Sequence, residues 1–277
     1  MFFVTGATGN VGRNVVTQLL AEGVKVRAAS RNPEHASLPG EVEVVRADLA
    51  DVSSPQAVFQ GVDGLFLFPA RGPLAGFVSA AAQAGVKRIV LLSSSAVADE
   101  RLKATPIGAT HIAAEQAVEA AGVQWTFVRP GPFMVNDLAW AAGIKSAGIV
   151  RAPYGEAVAA HIDERDIAGV VVRALLEDGH AGNAYEVTGP QALSQVERVR
   201  VLAEVLGRPI RFEEQPVAEM REQLLRQVPE ELADVMLELL RLGVEESVKV
   251  SPTGAEVLGR PLHTYEEWAV RHAGDFQ

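Results

Sequence analysis

The sequence predicts an α/β fold: a doubly wound parallel sheet followed by a smaller mixed C-terminal subdomain. Short apolar runs alternate with amphipathic helical stretches through the first half. A glycine-rich turn joins the first of those runs to the first helix. Beyond Arg129-Pro130 the regular alternation stops. The expected division is residues 1–152 for a dinucleotide-binding domain and 153–277 for a substrate-binding lid, with some later segments returning to the main sheet.

The first strand, from Phe2, runs into Gly6, Gly9 and Gly12, spaced GxxGxxG rather than GxGxxG. Glycine at the strand exit permits the turn, glycine in the loop lets a pyrophosphate approach the backbone, and glycine in the first helical turn lets helix and strand pack closely. Free N–H groups at the helix start then face an anion. Val11, Val15, Leu19 and Leu20 recur at helical spacing up to Gly23, and Val24 to Ser30 is the second strand. It ends at Ser30-Arg31 with no acid until Glu34. An acid there binds the ribose 2′-hydroxyl of NAD, whereas an arginine accommodates the 2′-phosphate of NADP, so NADPH is the expected cofactor, with a solvated loop residue as the other reading of Arg31.

Val42 to Arg46 is a third strand, followed by Ala47-Asp48-Leu49. Asp48 has two readings, an acceptor for the adenine amino group or a helix cap for the polar stretch after it. Leu65 to Phe68 is an apolar fourth strand ended by Pro69, and its carboxyl end should face the cofactor, because ligands of open parallel sheets sit beyond the strand C-termini. A helix from Leu74 to Ala84, a strand from Arg88 to Leu92, a helix from Pro106 to Ala121 and a strand from Gln124 to Val128 complete a Rossmann-type pattern. Phe133 to Ala142 is expected as a short helix and Ile149 to Ala152 as a strand. Asp163 is expected to cap a helix from Glu164 to Glu177. Tyr185 to Thr188 is a strand, Ser194 starts another helix, and Arg221 to Leu242 is helical with a break at Pro229.

With 277 residues, 48% of them hydrophobic and 22% charged, the chain is long enough for a sizeable core and has an ordinary globular composition. A net charge of −10 argues against direct binding to nucleic acid or an anionic membrane, which share its sign. With no cysteines, disulfides, thiolate catalysis and cysteine-held metals are excluded. No charged n-region or cleavage site precedes the first strand, so a cytoplasmic protein is expected, and no metal site is indicated.

The string Thr5 to Gly12, the strand end Arg31-Asn32-Pro33, the run Leu92-Ser93-Ser94-Ser95 and Arg129-Pro130-Gly131 together resemble the atypical short-chain dehydrogenase/reductases, and within them the NmrA-like group. That group holds NADPH-dependent quinone and dye reductases, tailoring reductases, and regulators that sense the dinucleotide without turning it over. The resemblance covers nearly the whole chain, and the segments His161 to Asp166 and Tyr185 to Pro190 look like those that close the family's substrate cleft. The cofactor-binding residues expected are Thr5, Gly6, Thr8, Gly9, Asn10, Val11, Gly12, Ser30, Arg31, Asp48, Leu49, Phe68, Pro69, Ser93, Ser94 and Pro130.

The usual Tyr-x-x-x-Lys pair of short-chain dehydrogenases is missing, and the corresponding helix carries His111-Ile-Ala-Ala-Glu115. Residues four apart share a helix face, and a carboxylate beside an imidazole favours its protonated form, so His111 and Glu115 are candidates to hold a proton donor. A structural salt bridge, a ligand-positioning role for His111 and a catalytically dead site are the competing readings. Ser95 or Ser94 is placed to bond a substrate oxygen. Without a strong acid the fitting acceptor is a quinone or extended aromatic, which delocalises the incoming charge. Phe133, Met134, Trp140 and Tyr154 are the candidate apolar floor for such a small aromatic substrate, with core packing as the alternative. The leading expectation is an NADPH-dependent reductase of quinone-like or polycyclic aromatic molecules. A non-catalytic NADP(H) sensor is the alternative, an isomerase or lyase using the cofactor transiently a third, and the oligomeric state is open.

Overall fold

The computed structural model describes residues 1–49, 56–69 and 74–277. In chain order the elements are β1 (Phe2–Val4), α1 (Asn10–Ala21), β2 (Val26–Ser30), β3 (Glu43–Arg46), β4 (Gly64–Leu67), α2 (Leu74–Gln83), β5 (Arg88–Leu92), α3 (Pro106–Glu119) and β6 (Gln124–Pro130). There follow α4 (Ala141–Ala147), β7 (Ile149–Ala152), β8 (Val158–Ala159), α5 (Glu164–Leu176), β9 (Asn183–Val187), β10 (Leu193–Ser194) and α6 (Gln195–Leu206). The chain continues through β11 (Arg211–Glu214), α7 (Val217–Leu225), α8 (Glu230–Glu245), α9 (Thr253–Leu258) and α10 (Tyr265–Arg271). The stretch expected as a helix from Phe133 is a 3-10 turn over Met134–Trp140 that continues as α4.

The first compact unit comprises Met1–Pro130, Glu164–Val187 and Thr253–Arg260. Its seven-stranded sheet runs β3-β2-β1-β4-β5-β6-β9, every neighbouring pair parallel. The order reverses between β1 and β4, where a doubly wound sheet opens its ligand crevice. Side chains alternate across a strand. Phe3, Leu65, Leu67, Ile89, Leu91 and Phe127 therefore share one face and pack with Phe77, Val78 and Ala81 of α2 and Ala114 and Val118 of α3. The opposite face carries α5, which contacts β4, β5 and β6 and packs along α1. Both faces are thus covered, which lets β4 consist wholly of buried residues. Asp166 of α5 is fully buried and accepts from Arg260 at 2.8 Å, tying the segment that follows α9 to this unit.

The second unit comprises Gly131–Asp163, Thr188–Pro252 and Pro261–Gln277. The chain leaves the first unit at Gly131 rather than at residue 153, and Glu164–Val187 returns to add β9 to the main sheet. Inside the second unit β7 pairs with β11 in parallel and β8 with β10 antiparallel. Its core gathers Tyr265, Trp268 and Phe276 with Ile144, Val199 and Leu202. Capping boxes start two of its helices: Ser194 with Glu197 on α6, and Thr264 with Glu267 on α10.

Candidate functional site

The glycine turn joins β1 to α1 as a tight backbone loop. Gly6 lies at φ +60, and a Cβ there would press on the Phe68 side chain at 3.0 Å. A Cβ on Gly12 would come within 2.1 Å of the Gly6 carbonyl oxygen, which only glycine avoids. Gly9 N–H donates to that same carbonyl at 2.9 Å, closing the loop. Gly9 is also the N-cap of α1, with no side chain capping the helix and no acid in its first turn. Uncapped N–H groups and an uncancelled dipole suit a bound anion, so the residues present fit the pyrophosphate of a dinucleotide. Thr8, Gly9 and Asn10 are exposed around this turn, while Val11 is buried and offers backbone alone.

Thr5 departs from the expected role of a direct cofactor contact. It is fully buried, its hydroxyl donates to the Phe66 carbonyl at 3.1 Å, and it accepts from Phe68 N–H at 2.7 Å. It fastens the ends of β1 and β4 and so shapes the cradle without offering a free hydroxyl. Phe68 stands 43% exposed just past β4, beside half-buried Pro69. At the neighbouring strand ends, Ser30 Oγ accepts from Asn32 N–H at 3.1 Å, turning the chain so that Arg31 is exposed. Asp48 is exposed and Leu49 packs on the core; the stretch that Asp48 was expected to cap falls on residues 50–55, outside the described residues.

At the carboxyl ends of β5 and β6 a polar network replaces the expected histidine–glutamate pair. Glu115 is buried, and its Oε1 accepts from Ser93 Oγ at 2.6 Å and from Arg129 Nε at 2.8 Å. Its Oε2 accepts from Arg129 Nη2 at 2.6 Å. Arg129 therefore takes the carboxylate in a fork. Burial lowers the His111 imidazole below its ordinary pKa, and the opposing pull of Glu115 is the lesser effect. The expected protonated imidazole is thus corrected to a neutral one at neutral pH. Its Nδ1 is buried without a hydrogen-bond partner among the described residues. Ser93 is spent on Glu115, and Ser94 Oγ accepts from Ala96 N–H at 3.2 Å. Ser95, half-buried at the start of the next turn, keeps its hydroxyl uncommitted among the described residues. Pro130 is buried at the end of β6.

The second unit holds a polar network that the sequence did not signal. Asp137 accepts from Arg198 Nη1 at 2.5 and 2.6 Å and from the Tyr265 hydroxyl at 2.6 Å. Arg198 Nη1 also lies 3.2 Å from His161 Nε2; a guanidinium only donates, so that nitrogen accepts and His161 is neutral. Burial, then the Arg198 charge, holds the His161 imidazole well below its ordinary range. Burial pushes the Asp137 carboxyl up against the pull of Arg198 and Tyr265. Trp140, half-buried, lies under the Arg198 guanidinium with its ring centre 4.9 Å away. Met134, expected in a substrate floor, is instead a core residue, 1% exposed. Phe133 and Tyr154 are half-buried, and Tyr154 adopts φ +60 while its N–H donates to Glu214 at 2.6 Å. Among the described residues no group of three or more His, Asp or Glu could hold a metal ion. No helix among them is long and apolar enough to cross a membrane.

Residues 6–178 match the NAD(P)H-binding family. The chain is 43% identical, over 100% of its own length and 99% of the relative's, to a (4-alkanoyl-5-oxo-2,5-dihydrofuran-3-yl)methyl phosphate reductase of Streptomyces griseus. It is 35% identical, with the same coverage of 100% and 99%, to an NAD(P)H azoreductase of Xenophilus azovorans. Among solved structures, an NADPH-dependent quinone oxidoreductase of Escherichia coli superposes with a TM-score of 0.80 at 27% identity, covering 98% of this chain and 99% of the other.

Proposed function

We propose, from the premise that this chain belongs to the NAD(P)H-binding family, that it uses NADPH to reduce an electron-poor conjugated small molecule, quinone-like in its chemistry. It is an oxidoreductase, a reductase like its relatives. The observation that carries the substrate class is α3 itself, which has no tyrosine–lysine pair and whose histidine, His111, is lowered by burial. No strong acid therefore waits on that helix. Hydride added to a simple ketone leaves a localised alkoxide that needs such an acid. Hydride added to a quinone, an azo bond or an acyl-substituted unsaturated lactone leaves charge spread over several atoms. Those are the acceptors that the names of the three similar proteins imply.

When bound, NADPH supplies the hydride. The turn around Gly6, Gly9 and Gly12 holds the pyrophosphate, and Arg31 takes the 2′-phosphate. The His111 ring offers a hydrogen bond that orients the acceptor, and Ser95 supplies a second to an acceptor oxygen. Ser93, Glu115 and Arg129 keep α3 in register with the strand ends. The cytoplasmic location expected from the sequence is part of the same proposal.

Loss of reduced-nicotinamide absorbance, followed with a quinone, an azo dye, an acyl butenolide and a plain aliphatic ketone, tests the assignment. The conjugated acceptors should be turned over, and the ketone's kcat/KM should be lower by about 10²-fold or more. Comparable turnover of the ketone overturns the proposal. Tight binding of one redox form of the cofactor with no consumption across the panel replaces it with a sensor.

A further inference from the structure

The β2–β3 edge carries two guanidinium groups with no partner among the described residues. In the parallel register Ser30 of β2 sits opposite Arg46, the last residue of β3, and Ala47 N–H donates to the Ser30 carbonyl at 3.1 Å. Arg31 follows Ser30 directly, so the two arginines leave adjacent strands at the same end of the sheet. Both are exposed, and neither has an ion-pair or hydrogen-bond partner among the described residues. The carboxylate nearest in the strand pairing is already committed: Glu43 of β3 binds Arg27 at 2.9 Å.

That arrangement needs a counter-charge. Like charges on neighbouring strands destabilise a sheet edge, and this chain has acids to spare, with a net charge of −10. Other arginines of the first unit find acids, as Arg88 binds Asp178 at 2.9 Å and Arg129 binds Glu115 at 2.6 Å, whereas exposed Arg13 reaches only the Thr8 carbonyl among the described residues. At the end of β2 the doubly wound fold places the ribose of the adenosine half, and an NADP 2′-phosphate carries nearly two negative charges at neutral pH. A dianion with three acceptor oxygens suits two forked donors better than one. Ser30 Oγ, which accepts from Asn32 N–H, still has its own proton to donate.

We propose that Arg46 is a specificity-determining residue, the second guanidinium of the 2′-phosphate site, acting jointly with Arg31. The inference rests on the NADPH reading above and extends it to a residue on a different strand. It makes the discrimination between NADPH and NADH a property of the β2–β3 edge rather than of the β2 terminus alone.

Calorimetric titration of the apoprotein with NADPH and with NADH tests it without recourse to turnover. The wild type should bind NADPH more tightly. Arg46→Ala should raise the NADPH dissociation constant by about 10-fold and leave that for NADH within about two-fold, the size of one charge-assisted contact. Lys25→Ala removes an equal charge from the opposite end of β2 and should change neither. Arg46 is exposed and unpaired, so its variant should keep the wild-type thermal midpoint. An unchanged NADPH constant in Arg46→Ala, with Arg31→Ala still weakening NADPH alone, overturns this inference and leaves the NADPH reading standing. Equal weakening for both dinucleotides in Arg46→Ala also overturns it. A wild type that binds both dinucleotides equally removes the NADPH reading itself, and the inference with it.

Discussion

Glu115 in the first compact unit and Asp137 in the second are each buried against an arginine, and these two pairs differ in what surrounds them. In the first unit Arg129 keeps 21% of its side chain exposed and grips Glu115 at the ends of β5 and β6. In the second, Arg198 and Asp137 are only 4% and 5% exposed and share their contact with Tyr265 and His161. A pair with an outlet to water tolerates the loss of one partner, because the survivor can be solvated. A sealed pair does not, since the survivor is an uncompensated charge in a low-dielectric interior. The first network therefore reads as a device that arranges a site, and the second as a lock that holds a core together.

The largest effect that tests this contrast belongs to Asp137. Asp137→Ala strands Arg198 and leaves the Tyr265 hydroxyl without its acceptor. A loss of about 3–5 kcal/mol in chemical denaturation is expected. Adding Arg198→Met to that variant should recover part of the loss, because no bare charge remains; a double variant worse than the single one contradicts the lock. Glu115→Gln comes next. It keeps the shape of the side chain and leaves Arg129 able to reach water, so the cost should be about 1–2 kcal/mol. NADPH affinity should be near wild type, with the effect concentrated in kcat. A loss as large as that of Asp137→Ala would erase the distinction between the two networks.

The same contrast marks what was legible in the sequence. The cradle at Gly6, Gly9 and Gly12, the strand–helix alternation and Arg31 are local patterns, and they carried the sheet and the cofactor expectation. The return of Asn183–Val187 as the seventh strand was readable only as a segment coming back to the sheet, because its partner β6 lies far upstream in the chain. Asp137 and Arg198 are 61 residues apart and belong to no motif, so nothing local announces their bond. Glu115 and Arg129 are closer in sequence, yet their pairing depends on where α3 lies against β6. His111 shows the limit most directly. Its spacing from Glu115 implied a raised pKa, but desolvation is a property of the packed structure and reversed the sign.

That reversal supplies the smallest effect and the finest test. Burial lowers His111 in the folded state, while the unfolded chain keeps the ordinary value of about 6.5. Above that value neither state is protonated at His111, and its contribution to stability does not vary with pH. As pH falls through it, the unfolded chain binds a proton that the folded chain refuses, so stability declines until the lower folded pKa is passed. His161, lowered by burial and by Arg198, acts in the same direction. The difference between wild type and His111→Gln isolates one contribution from the other. The wild type should lose more stability than the variant below about pH 6.5, and the two curves should run parallel above it. An excess loss in the variant, or a divergence that begins on the alkaline side, means that the Glu115 charge keeps His111 protonated in the folded protein. Burial would then not be what decides the charge at His111, and the substrate class argued from a neutral His111 would lose its support.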